Sequence, residues 1–197
     1  MSKAEDTRAF IIEKTAPIFN TKGYAGTSLT DITEATGLTK GSIYGNFANK
    51  DEVAIAVYDY HTCLLSKKLD EVIGGQESAT GKLMAMTGYY RTNWKKMFER
   101  GGCPILNASV EADDNLPFLK KNVQTSIRNW ATRITGIIEE GKKSGEFKKN
   151  INAVDFSYNI ITLIEGGIML AKITNNQHLL FSALDRAELI IKVEIKK

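Results

Sequence analysis

Proline, cysteine and histidine are scarce in this chain, and neither sign of charge dominates it. Only 3 prolines, 2 cysteines and 2 histidines occur in 197 residues. So few prolines leave room for long helices, and no stretch shows the two-residue alternation of a useful strand. Cys63 and Cys103 cannot make a disulfide framework, which fits a reducing compartment. His61 and Cys63 stand two apart on an expected helix and so face different ways, and His178 is isolated. No metal and no cofactor is therefore expected. No run of about eighteen apolar residues occurs, so no membrane span is expected. The opening MSKAEDTRAF lacks the apolar centre of a signal peptide, which points to the cytosol. A nucleophile–base pair, a phosphate-cradling glycine loop and metal-ligand spacing are all missing, so an enzyme is not expected. The balance of 26 Lys plus Arg against 23 Asp plus Glu gives +3. That is too little for a protein that coats nucleic acid, and enough for one that sets a few cations against chosen phosphates.

What the chain does hold is concentrated between Ser28 and Lys50, SLTDITEATGLTKGSIYGNFANK. Ser28 and Asp31 have capping-box spacing. Leu29, Ile32 and Ala35 follow at helical intervals, and Gly37 ends the helix where a left-handed residue is wanted. Leu38 tucks under the turn, and Thr39 can cap a second helix whose inner face is Ile43 and Phe47. Asn49 can cap a third helix opening Lys50-Asp51-Glu52. The pattern is a helix-turn-helix whose second helix is free to enter a major groove.

These residues resemble the DNA-binding end of the TetR family of bacterial transcriptional regulators. The resemblance is carried by the order Gly23-Tyr24, Thr27-Ser28, Asp31-Ile32, Gly37 to Gly41, Ile43-Tyr44, Phe47 and Asn49-Lys50. It implies an all-α fold, with an N-terminal three-helix bundle at residues 1–49 and a larger helical ligand-binding and dimerisation domain at 50–197. It also implies a homodimer that binds a palindromic double-stranded operator, most simply as a repressor released by a small-molecule effector. A helix-turn-helix turned to protein partners is the alternative. By this resemblance Lys40, Ser42 and Asn46 meet base edges or backbone, and Tyr44 meets a phosphate. Thr27, Thr39 and Gly41 lie along the same surface, and Ser28 and Lys50 offer phosphates a helix N-terminus. Gly45 departs from the family, many members of which carry an aromatic residue or histidine there. The departure bears on which operator is read.

Outside that block the chain reads as further helices. The first spans about Glu5 to Thr21, with Pro17 inside it as a source of kinking or local cost. Others run from about Lys50 to Val72, Ser78 to Phe98, Cys103 onward, Leu116 to Lys143, Ala153 onward under an Asn152 cap, and Gln177 to the end. A stripe of Met86, Tyr90, Trp94 and Met97, with Trp130 and Phe156, could line a cavity for an apolar or amphipathic effector or simply form core. Asn107 and Glu165 are candidate polar anchors, with capping or ion pairing as the plainer reading. Cys103 joins this set at an expected helix start, where a thiolate is favoured, although a buried inert thiol is the simpler expectation. Ile160, Gly167, Ala171, Leu180, Leu184 and Ile191 on the last two helices are the expected dimer face.

Overall fold

The helix ends fall where a side chain can bond the free backbone groups. A computed structural model describes residues 3–197, leaving aside the side chains of Lys3 and Asp114. Helix accounts for 81% of the chain and no strand forms among the described residues, so the all-α expectation holds. The elements are α1 (Lys3–Lys22), α2 (Leu29–Thr36), α3 (Lys40–Tyr44), α4 (Lys50–Gly74), α5 (Ala79–Glu99), α6 (Pro104–Asp114), α7 (Pro117–Ser144), α8 (Ala153–Ile173) and α9 (Gln177–Leu189). α1 runs through Pro17 without a break. The last expected helix does not reach the C-terminus as one piece. α9 gives way to a π-helical turn, Ile190–Ile195, and Lys196 then bridges to Phe147.

Two compact units result. One takes in the chain up to Leu65 together with Pro104–Ser126; the other takes in Ser66–Cys103 and Ile127–Lys197. In the first, Ile11, Phe19, Tyr24, Ile32, Ile43, Phe47, Val53 and Val57 are buried. The second is centred on Leu83, Met86, Ile134, Ile160, Ile164, Ile168, Leu180 and Leu184.

In the second unit the expected dimer face turns inward. Ile160, Ala171, Leu180, Leu184 and Ile191 are wholly buried within a single protomer. Gly167 is the reason that α8 and α9 approach so closely. A Cβ there would stand 2.8 Å from the Ala183 methyl and 3.2 Å from a Leu180 methyl. The correction has a simple cause: α8 is apolar on more than one side, and helical periodicity alone does not say which side a neighbour takes. The side it leaves in solvent carries Val154, Tyr158, Met169, Leu170 and Ile173, the last 77% exposed. This is also the one helix, among those described, long and apolar enough to cross a membrane by length and composition, with a mean hydropathy of 1.2. Lacking a wholly apolar run did not prevent that.

Candidate DNA interface and effector site

The recognition surface is assembled by local bonds that the sequence announces. Ser28 Oγ accepts from the Asp31 N–H at 3.1 Å, and an Asp31 carboxylate oxygen accepts from the Ser28 N–H at 2.8 Å, so the capping box is complete. Lys22 adds an ion pair to Asp31. The Lys22 ammonium, followed by the Ser28 amide and hydroxyl, holds the Asp31 carboxyl down at about 2. Gly37 adopts φ 68°, the left-handed turn between the two helices. Thr39 Oγ1 accepts from the Ser42 N–H at 3.2 Å and opens α3.

Further bonds fix α3 against the helices around it. Arg8 lies over the Phe47 ring at 4.0 Å, donates to the Asn46 carbonyl at 2.6 Å, and pairs with Glu52. Glu52 in turn accepts from the Ala48 N–H at 2.6 Å. That amide, with Arg8 behind it, lowers the Glu52 carboxyl below its usual range. From α6, Glu111 accepts from the N–H groups of Tyr24 and Ala25 at 2.9 and 2.7 Å. Asn107 donates to the Asn20 carbonyl and side-chain oxygen at 3.1 and 3.0 Å. Arg8 and Glu111 escape a sequence reading because their partners lie 38 and about 87 residues away.

The expected DNA-facing residues divide accordingly. Thr39, Lys40, Gly41 and Tyr44 are exposed, Tyr44 at 47%. Ser28 is exposed, and Ser42 is half-buried beside them. Asn46 is half-buried and its amide donates to the Ser42 carbonyl at 2.9 Å. Lys50 turns its ammonium back onto the carbonyls of Tyr24, Ala25 and Thr27, at 3.0–3.4 Å. Thr27 is a correction in kind: its side chain is fully buried, with the hydroxyl donating to the Gly23 carbonyl at 2.7 Å. A hydroxyl so placed builds the turn and offers nothing to DNA. Gly45 is right-handed, at φ −72° and ψ −17°, so its backbone does not require glycine.

The second unit brings together four of the nine expected effector residues. The Tyr90 and Trp130 rings stack at 6.1 Å, and Cys103 donates to Glu165 Oε1 at 2.9 Å. Burial, then the nearby Cys103 and Glu165, raise the Tyr90 phenol well above its ordinary value. Burial likewise raises the Glu165 carboxyl to about 7, with the Cys103 bond pulling weakly the other way. Met86 is buried in this unit, while Trp94, Met97 and Phe156 are half-buried. Trp94 packs edge-on against Phe98 and Phe181. Asn107 stands apart, because its amide is committed to Asn20 within the first unit. Among the described residues, no cluster of three or more metal-ligating acids, histidines or cysteines occurs.

Comparison with known proteins covers both the recognition helices and the region of the Tyr90–Trp130 stack. Residues 11–57 match the model for bacterial regulatory proteins of the tetR family, and residues 79–186 match the model for a tetracyclin repressor-like C-terminal domain. An uncharacterised HTH-type transcriptional regulator of Lactococcus lactis is 28% identical over 91% of this chain and 90% of its own. The HTH-type transcriptional repressor DhaR of a Mycobacterium species is 22% identical over 86% and 84%. A crystal structure of a TetR-family regulator from Cytophaga hutchinsonii superposes with a TM-score of 0.95, at 39% identity, over 100% of this chain and 98% of that one. The capped, outward-facing α3 and these matches along the whole chain show that it belongs to the TetR family as a ligand-responsive, DNA-binding transcriptional regulator.

Proposed function

We propose that this regulator is a repressor, that it works in the cytosol as a homodimer on a palindromic operator, and that a small effector releases it. The observation that carries the reading is the contrast on α3. Lys40 and Tyr44 stand free at its surface, while the residues behind them are locked by Arg8, Glu52 and Glu111. Lys40, Ser42 and Asn46 meet base edges or backbone. Tyr44, Thr39 and the Ser28 helix start meet phosphates, and Gly41 allows close approach. Lys50 acts from within by holding the Tyr24–Thr27 loop. The functional boundary falls at Asn49–Lys50, where reading ends and the long α4 begins.

A dimer is supported by the face that α8 leaves in solvent. Val154, Tyr158, Met169, Leu170 and Ile173 follow one another at helical spacing. Gly166 lies among them, with no atom within 4 Å of the place a Cβ would take. A second copy would cover this apolar area and set two recognition helices on half-sites about 34–36 Å apart, or a multiple of it. Effector control has a covalent route. The chain passes from Cys103, bonded to Glu165, straight into α6, whose Asn107 and Glu111 hold the end of α1 and the loop after it. Operator and effector then weaken each other by one shared factor.

Selection of duplexes from a random pool at moderate salt tests the reading. A palindrome bound by two chains is the expected result; a pool without sequence preference would overturn it. Ile173→Asp, on the exposed face, should give monomers in sedimentation and lose the operator while keeping the helical spectrum.

A further inference from the structure

Besides Thr80 Oγ1 at the start of α5, three polar atoms in the second unit are sealed from solvent without a hydrogen-bond partner: Tyr90 Oη, Trp130 Nε1 and Glu165 Oε2. Tyr90 and Trp130 are 1% and 5% exposed and stack on one another. Glu165 is half-buried as a residue, but its free oxygen is shut in. Leaving such groups unbonded costs free energy, so a region that holds all three is suited to something that bonds them. Their chemistry is one-sided. An indole N–H only donates, and a phenol so strongly held in its neutral form keeps its proton to donate. Burial raises the Glu165 carboxyl to about 7, so its protonated form is well populated at neutral pH; with Oε1 accepting from the Cys103 thiol, that form carries its proton on Oε2 as the third donor.

We infer that Tyr90, Trp130 and Glu165 form a three-donor cradle for an uncharged apolar ligand bearing a carbonyl-type oxygen. This deepens the ligand-responsive reading of the same region and rests on it. The stacked rings supply the apolar wall, and the donors fix the oxygen. The charged groups around the cradle do not supply a cation to Glu165. Arg133 on α7 pairs with Asp70, and Arg91 on α5 pairs with Asp185 and Glu188 of α9. The Lys172 stem passes Gly102. Burial holds the Tyr89 and Tyr90 phenols in their neutral form, Cys103 donates to Glu165, and Arg100 and Glu71 act on Tyr89. A cationic ligand would need Glu165 ionised, and it would leave the Trp130 N–H unanswered.

The two ligand classes have opposite pH signatures. A carbonyl needs Glu165 protonated, so its affinity falls as pH rises through about 7, by roughly tenfold between pH 6 and pH 8. A cation's affinity rises over the same range. The probes are three molecules of one shape: acetophenone, isopropylbenzene and the α-methylbenzylammonium ion, measured calorimetrically against the full chain. Acetophenone should bind best and show the tenfold fall. Trp130→Phe and Tyr90→Phe should each weaken it about five- to tenfold. Both should leave the melting temperature of the empty protein unchanged or higher, since each removes an unanswered donor. Glu165→Gln, which still donates, should keep binding at pH 8 and flatten the pH profile.

Equal binding of isopropylbenzene, tighter binding of the ammonium probe, or no binding of acetophenone at millimolar concentration would each overturn the cradle. Operator affinity, read in the same samples, separates the two ideas. Binding with this signature and no change in operator affinity would sink the regulatory reading of the site and keep the cradle. Release from the operator without the pH and variant effects would do the reverse.

Discussion

The two units differ in what one of them does with a buried carboxylate. In the first, Asp31, Glu52 and Glu111 all accept backbone N–H groups at helix starts or in the loop after α1. Asp31 and Glu52 are held below their ordinary values as a result. In the second, Glu146 does the same for the Ala79 and Thr80 N–H groups at the start of α5, but Glu165 has one weak thiol donor and an unanswered oxygen, and burial pushes it up to about 7. One unit spends its charge on holding a shape, and the other keeps polar groups in reserve. A DNA reader needs the first arrangement, since a misplaced recognition helix loses several contacts together. An effector site needs the second, since only unfinished bonding gives a ligand something to complete.

The comparison can be broken most forcefully at Phe47. It lies in the turn between α3 and α4, buried beneath Arg8, and Phe47→Ala should cost roughly 3–5 kcal/mol of stability. Urea unfolding would register it, together with loss of operator binding even where the protein remains folded. A mild effect would mean that the first unit is less rigid than its bonding implies.

The next effect is a pH dependence set by Glu165. Glu165 has its pKa raised from 4.5 to about 7 on folding, so the folded state keeps a proton that the unfolded chain has lost. Its contribution is fully present below pH 4.5 and is lost as pH rises through 7, by up to about 3 kcal/mol. Unfolding free energies at pH 5 and pH 8 measure the difference, and Glu165→Gln should remove most of it. Asp31 works with the other sign. Its stabilisation is present above pH 3.8 and is lost as pH falls toward 2.

Glu111→Ala sharpens the contrast at smaller scale. It deprives two N–H groups of a charged acceptor and should cost about 2 kcal/mol. Hydrogen exchange at the Tyr24 and Ala25 amides would accelerate. Smallest is Ser28→Ala, about 1 kcal/mol by loss of one cap. Its operator affinity should fall more than its stability suggests.

How much of this was legible depended on how far apart the partners lie. The Ser28–Asp31 box, the Gly37 turn and the Thr39 cap each involve residues within three positions, and local chemistry specifies them. Arg8, Asn107 and Glu111 were opaque, or misassigned, because their bonds close loops of 38 to 87 residues. Resemblance puts Thr27 on the DNA-facing surface, whereas its side chain is buried and its hydroxyl donates to the Gly23 carbonyl. The inner and outer faces of α8 were exchanged because both are apolar; only the seating of Ala183 and Leu180 on Gly167 decides between them. Glu165 stood out as an acid on an apolar helix, yet its bond to Cys103 spans 62 residues.

Glu111 also sets a rule for engineers who would exchange operator specificity between regulators of this architecture. The expectation from sequence puts the cut at Lys50, yet the loop between α1 and α2 is anchored by a carboxylate 61 residues beyond it (111 − 50). A reading head transplanted at Lys50 alone would arrive without its anchor. The portable cassette is discontinuous, and a working chimera carries α6 along with the head it serves.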